Sequence, residues 1–160
     1  NFGTLELFPS ATEIPKLQVL GPEPLTEDFN TRYLYPRLKA SSKEIKPFLL
    51  DQRLVAGIGN IYASEILFAS GVLPQRSAHS LKKKEVQAIV ENTRRILLSA
   101  IEYNGTSVSD FRQVDEKTGE FQNFLQVYDK ESQPCPRCEV PLQRIVQQQR
   151  STFFCIGCQK

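Results

Sequence analysis

The 160-residue chain has no methionine at any position, and it opens inside apolar, strand-like sequence, NFGTLELF. A start of that kind reads as a piece cut from a longer protein. No apolar run approaches the roughly 20 residues of a bilayer-spanning helix, which excludes a helical membrane protein. The N-terminus lacks both the charged start and the apolar stretch of a secretory signal, so the chain reads as soluble and intracellular, with no membrane partner. There is no internal repeat and no low-complexity tract; the run Gln147–Gln149 is too short to count. Cysteine is scarce, at four residues, and their positions decide more than their number.

What is present suffices for one compact domain, or a domain with a small appendage: 40% of the residues are apolar. The net charge of +2 conceals an asymmetry. Residues 1–30 hold one lysine and five acids, a net of −4, so the rest of the chain carries +6. Such a basic excess is compatible with a nucleic-acid face and also with an ordinary soluble surface.

The stretch Leu49–Phe68, LLDQRLVAGIGNIYASEILF, organises the remainder. It sets a tight turn, Gly57 to Asn60, between two runs that read as helix. Gly57 and Gly59 can take positive φ without a Cβ penalty. Asn60 would then stand at the head of a helix over 61–70, where free N–H donors and the positive end of the helix dipole favour an anion. These four residues alone leave a phosphate site and a plain helix–turn–helix connection both open.

In chain order, residues 1–8 alternate as a strand would, and 9–24 are proline-rich and predicted irregular. Asn30 is an N-cap for a helix through Leu38, which Pro36 should kink or end early. Ser41 and Glu44 have capping-box spacing ahead of a second helical run, with Pro47 early in it. Glu65, on the helix after the turn, reads as a solvated or locally paired carboxylate. Gly71 ends that helix. Ser80 would cap the longest helix, 81–103, with Val86, Ile89, Val90, Ile96, Leu97 and Ile101 at core spacing, stopped by Asn104 and Gly105. Lys82, Lys83 and Lys84 read as a solvated face. Residues 106–123 have no sustained period and read as a loop. Short strands are predicted at 124–128, 142–146 and 152–154.

Cys135-Pro-Arg-Cys138 and Cys155-Ile-Gly-Cys158 are two C-x2-C pairs sixteen residues apart, the spacing of a tetrahedral zinc site with four thiolate ligands. Paired disulfides are the competing reading, and adjacent C-x2-C partners in an intracellular protein rarely serve as staples. With all four cysteines engaged, no position is left for water, so one Zn2+ would be structural, its binding energy folding a segment too small to fold alone. Arg144 and Arg150 lie between the pairs, beside a predicted hairpin turn at Gln147–Gln149. Either a phosphate fork or exposed surface arginines would account for them.

Taken in order, LGPEPL, IKPFLLDQRLVAGIGNIYASEILF, FLQVYDKESQPCPRC and RSTFFCIGCQK resemble the C-terminal half of the bacterial formamidopyrimidine-DNA glycosylase family, and the likeness covers nearly the whole chain. The resemblance implies a mostly α fold with a small β zinc finger: a helix–two-turn–helix domain followed by a four-cysteine β-hairpin. The implied division is 1–25 as the end of an N-terminal domain and linker, 26–125 as the DNA-binding helical domain with a lesion loop at 106–123, and 126–160 as the finger. It further implies a base-excision repair enzyme that flips an oxidised purine out of double-stranded DNA, cleaves its glycosidic bond and nicks the strand by β,δ-elimination. That enzyme would act as a monomer in the bacterial cytoplasm, with the nucleoid. The family's proline nucleophile lies outside this chain, so the fragment alone would be inactive.

Residue by residue, Asn60 resembles the family's phosphate-binding asparagine, with the amides of Gly59 and Tyr62 beside it. Tyr128 matches a backbone-contacting tyrosine, and Phe2 the aromatic wedge. Arg150 matches the finger arginine that grips phosphates and is assigned a role in δ-elimination. Departures are Asn1 for a basic residue, Ser41 for a lysine, Leu73 for a histidine and Asp129 for a glycine. A non-catalytic nucleic-acid-binding platform is the alternative, and a purely structural zinc protein a third.

Overall fold

The computed structural model describes residues 6–106 and 119–160. Among the described residues, five helices, α1 (Pro15–Gln18), α2 (Thr31–Lys39), α3 (Ile45–Leu50), α4 (Asn60–Ala69) and α5 (Lys83–Glu102), precede a two-stranded antiparallel sheet, β1 (Gln143–Gln147) and β2 (Arg150–Phe154). The N-terminal strand expected over residues 1–8, and Phe2 with it, fall largely outside the described residues.

The proline-rich segment is less irregular than expected. It holds a 3-10 turn at Ala11–Glu13 and then α1, whose Pro15 takes the first position, where a missing N–H costs nothing. Gly21 follows in close contact with the chain before α4: its N–H donates to Gln52 O at 2.8 Å, and a Cβ there would meet Leu54 C at 2.5 Å. Only glycine fits. Asn30 caps α2 as expected, its Oδ1 accepting from Tyr33 N at 2.9 Å, and the helix runs three residues past Pro36 before ending.

Ser41 and Glu44 do not form a capping box. Glu44 is itself the N-cap of α3, and Ser41 Oγ accepts from Lys43 N. The orphan donors of α3 find tertiary acceptors instead: Ile45 N donates to Arg76 O at 2.8 Å and Lys46 N to Pro74 O at 3.3 Å. The longest helix likewise starts later than predicted. Ser80 lies in a 3-10 turn, Ala78–Ser80, and α5 begins after Lys82, whose N–H donates to the Glu85 carboxylate at 2.7 Å. Lys82, Lys83 and Lys84 are exposed, as read. Val86, Ile89, Val90 and Ile96 enter the core; Ile101, placed there by its spacing, is 63% exposed.

The centre of the molecule is α4. Every residue from Ala63 to Phe68 is buried, the mark of a helix packed on all sides. Around it Phe29, Leu34, Leu38, Phe48, Leu49, Ile58, Ile89 and Ile96 form one core. Phe68 enters a second, smaller core with Val127, Leu142 and Phe153 beside Cys135 and Cys155, so the two units share a wall. Gly71 ends α4 at φ 68°, as predicted.

Residues 124–128 are not a strand. A 3-10 turn, Phe121–Phe124, replaces the expected loop end and strand start, and the amides of Gln126, Val127 and Tyr128 all donate to the Glu65 carboxylate, each at 2.9 Å. A side chain here does the work of a partner strand. Residues 107–118, most of the expected lesion loop, lie outside the described residues.

Candidate functional site

The four cysteines converge. Their Sγ atoms all lie within 4.8 Å of one another, with Cys135–Cys158 at 3.8 Å and Cys138–Cys155 at 3.4 Å. A tetrahedron of sulfurs around Zn2+ at about 2.3 Å has edges of roughly 3.8 Å, whereas a disulfide needs about 2.05 Å. The site therefore fits one zinc ion and no disulfide. The knuckle at Gly157 is made for it, since a Cβ there would meet Cys138 Sγ at 2.9 Å. Burial and the neighbouring thiols push the Cys158 thiol up to about 12. A divalent cation is what allows four thiolates to share this volume.

The metal-braced hairpin turns within the predicted Gln147–Gln149 stretch: Gln147 ends β1 opposite Arg150, and the chain reverses through Gln148 (φ 46°) and Gln149 (φ 61°). Positive φ at both central residues is the two-residue hairpin turn that matches strand twist. The hairpin is fastened to the helical domain by polar side chains. Gln147 Nε2 donates to Glu44 Oε2 at 2.7 Å, and Gln159 joins the knuckle to the segment after α4, accepting from Cys155 N and donating to Val72 O.

The principal bolt is Lys46, which is fully buried. Its ammonium donates to Asn60 Oδ1 at 2.6 Å, to Ser151 O at 3.0 Å and to Thr152 Oγ1 at 2.7 Å. Asn60 closes the ring by donating Nδ2 to Ser151 O at 2.9 Å. One ammonium thus locks the α4 head to the finger strand that carries Arg150. Sequence reading passed over Lys46, although a lysine amid Ile45, Pro47, Phe48 and Leu49 in a short apolar helix was a visible signal. Burial, and then the positive charge of Arg150, lower its pKa to about 8. The cost of that ammonium is fully present below pH 8. Between pH 8 and the ordinary 10.5 the unfolded chain holds more proton, so stability rises with pH. Comparing Lys46→Met with the parent by chemical denaturation at pH 7 and pH 9.5, the parent should gain on the variant at the higher pH; equal pH dependence would refute this account.

The predicted site residues divide into groups. Gly57 takes φ 78°, its N–H held by Gln52 Oε1 at 2.7 Å, while Gly59 sits at φ −100° and is the N-cap of α4. Gln52, whose Nε2 also donates to Ile58 O, braces the turn from within and was not foreseen. Asn60 is the first residue of α4 rather than its cap. Among the described residues, the N–H groups of Gly59, Asn60, Ile61 and Tyr62 have no hydrogen-bond acceptor, and the Arg150 guanidinium has neither hydrogen bond nor ion pair. Arg144, by contrast, is spent on Ser151 Oγ and on Glu131. The Tyr62 side chain points away from this corner, its hydroxyl 3.2 Å from Thr106 Oγ1. There it lines a cavity of about 600 Å3 with Leu20, Leu25, Leu97 and Ile101. Tyr128 packs edge-on against Phe153, centroids 5.0 Å apart, at the seam between the two cores. Asp129, where the resemblance implies a glycine, takes φ 59°, a region that glycine enters freely and that aspartate tolerates better than most residues.

Among known proteins, residues 20–112 match the family described as the formamidopyrimidine-DNA glycosylase H2TH domain, and residues 132–160 match the zinc finger found in FPG and IleRS. A formamidopyrimidine-DNA glycosylase of Ruegeria pomeroyi is 46% identical over 100% of this chain and 58% of its own length; that of Serratia proteamaculans is 48% identical over 88% and 52%. The chain thus spans about half the length of the curated relatives it matches. The crystal structure of the MutM (Fpg) protein from Thermus thermophilus superposes with a TM-score of 0.87 at 45% identity, over 92% of this chain and 56% of that one. The Lactococcus lactis Fpg in complex with abasic-site DNA gives 0.84 at 37%, over 91% and 53%.

Proposed function

Because the chain belongs to the family of the formamidopyrimidine-DNA glycosylase H2TH domain, we propose that it is the DNA-gripping part of a base-excision repair glycosylase and AP lyase. The intact protein would remove oxidised purines from duplex DNA and nick the strand by β,δ-elimination, as a monomer in the bacterial cytoplasm. In this reading the chain supplies grip and no nucleophile, and by itself it would have no glycosylase activity.

One observation carries the reading. Unpartnered amides at the head of α4 and an unpartnered guanidinium at the hairpin are joined through the Asn60–Lys46–Ser151 ring into one rigid corner. Free helix-start N–H groups and arginine are two of the standard ways to hold a phosphate. Gripping neighbouring phosphates from two locked elements would bend the duplex and lower the cost of extruding a base, a few kcal/mol that is least for a damaged one. In this scheme the Asn60 side chain chiefly sets the corner, because Oδ1 and one Nδ2 hydrogen are already engaged and one hydrogen is left for a phosphate. Arg150 grips from the finger and would assist δ-elimination in the intact enzyme. Tyr128 holds the seam and, with Phe2, completes the DNA contacts. The Zn2+ supplies rigidity and no chemistry.

The test is a salt titration of zinc-loaded chain on a short duplex carrying an abasic-site analogue. Arg150→Ala should lower the magnitude of the log–log salt slope by about one, as expected for a lost phosphate contact. Asn60→Ala should weaken binding across all duplexes. Parent-like binding in both variants would end the proposal.

A further inference from the structure

A second basic recess adjoins the corner and shares only Arg150 with the site described above. It measures about 290 Å3 and lies between the hairpin tip and the end of α3. Lys43, Arg53, Arg150 and Gln148 wall it, with Pro47 and Leu50 at its floor. Its only acid is Asp51, which holds two of the cations in place. Asp51 Oδ1 accepts from Arg53 Nε at 3.0 Å, and Oδ2 accepts from Arg53 Nη2 at 2.8 Å and from Lys43 Nζ at 2.7 Å. Three cations against one carboxylate leave the recess with a net charge of +2.

The arrangement is ordered rather than merely basic. The Asp51 carboxylate is largely buried and fixes the Arg53 fork by its Nε edge, while the Arg53 side chain is 71% exposed. Nη1 donates no hydrogen bond to the protein, and Arg53 lines the recess. A guanidinium tethered along one edge and free along the other suits a tetrahedral anion bearing two oxygens. Arg150, the arginine assigned to phosphate above, forms the shared wall. An anion in the recess would therefore be continuous with the strand held at the α4 head.

We propose that Lys43 and Arg53, braced by Asp51, form an additional seat for a backbone phosphate of the bound DNA strand, extending the footprint beyond the Asn60–Arg150 corner. The proposal rests on the DNA-binding reading and adds a contact to it. The seat reads no base, so it contributes equally to damaged and undamaged duplexes.

The zinc-loaded chain is titrated with salt on a duplex carrying an abasic-site analogue, and then on a series in which single phosphates are replaced by neutral methylphosphonates. Arg53→Gln should lower the magnitude of the salt slope by about one, and Lys43→Gln should act in the same direction. One methylphosphonate position should weaken the parent several-fold and leave Arg53→Gln unchanged, and that position should differ from the one silenced in Arg150→Ala. Zinc content of Arg53→Gln should match the parent, because Arg53 touches neither the cysteines nor the finger core. A parent-like slope in Arg53→Gln, with Arg150→Ala still impaired, would overturn the seat and leave the corner standing. If Arg150→Ala and Asn60→Ala were also parent-like, the DNA-binding reading would fall and the seat with it.

Discussion

Cys155→Ser is expected to abolish stoichiometric zinc binding, unfold residues 132–160 and cut affinity for duplex DNA by at least about tenfold, through loss of the finger's phosphate contacts. Cys155 is fully buried, and its sulfur stands 3.4 Å from that of Cys138 inside the four-sulfur cluster. The finger's own apolar core is Val127, Leu142 and Phe153, with Phe68 borrowed from α4. So little buried surface does not offset the conformational entropy of some thirty residues, at about 1 to 2 kcal/mol each. A structural zinc ion contributes roughly 10 to 16 kcal/mol of apparent binding free energy, and in such a segment that becomes folding free energy. The loss would propagate. Without β2, Lys46 loses Ser151 O and Thr152 Oγ1, two of its three acceptors, and Asn60 loses the carbonyl that orients it. The helical core around α4 includes no finger residue except through Tyr128, so most helical signal should survive. Native mass spectrometry reads the metal, far-ultraviolet dichroism the helices, and anisotropy the binding. Retention of one zinc ion with parent-like DNA affinity would refute the assignment.

Elements encoded locally were legible in the sequence. The C-x2-C pairs, the Asn30 cap, the Gly71 stop and a hairpin turn within Gln147–Gln149 each depend on neighbouring residues, and each lies where its pattern put it. What failed was whatever depends on distant partners. The Ser41–Glu44 spacing suggested a capping box, yet carbonyls of residues 74 and 76 had already taken the α3 donors. Ile101 has helical core spacing but lies on the side of α5 that no described element covers. The two glycines before Asn60 left a phosphate site and a plain connection both open, and its phosphate-binding role is what the resemblance implies. Its bonds to Lys46 and Ser151 span 14 and 91 residues, and no local pattern announces them. The turn could be located from the sequence, while its bracing could not.

Glu65 is the sharpest case, and its substitution should be costly. Glu65→Gln is expected to lower unfolding free energy by about 3 kcal/mol, because bonds to a charged acceptor each contribute roughly 1.5 to 3 kcal/mol and a buried donor left unpaired costs about as much. The carboxylate is 4% exposed, with Oε2 accepting from Gln126 N and Oε1 from both Val127 N and Tyr128 N. Glutamine offers one oxygen in place of two and sets an NH2 group against a donor, so at least one amide is orphaned. The segment it holds carries Val127 into the finger core and Tyr128 against Phe153. Releasing it would loosen the seam at a second point, apart from the Lys46 bolt. Amide exchange at residues 126, 127 and 128 should accelerate about a hundredfold, the factor that such a loss implies when opening is local. Glu65→Asp, which keeps both oxygens but retracts them by one methylene, should lie between glutamine and the parent. Unchanged exchange at the three amides in Glu65→Gln would mean that another acceptor holds the segment. If exchange rises as expected, a buried carboxylate that looks like surface charge in the sequence is what aligns the finger with the helix that presents Asn60.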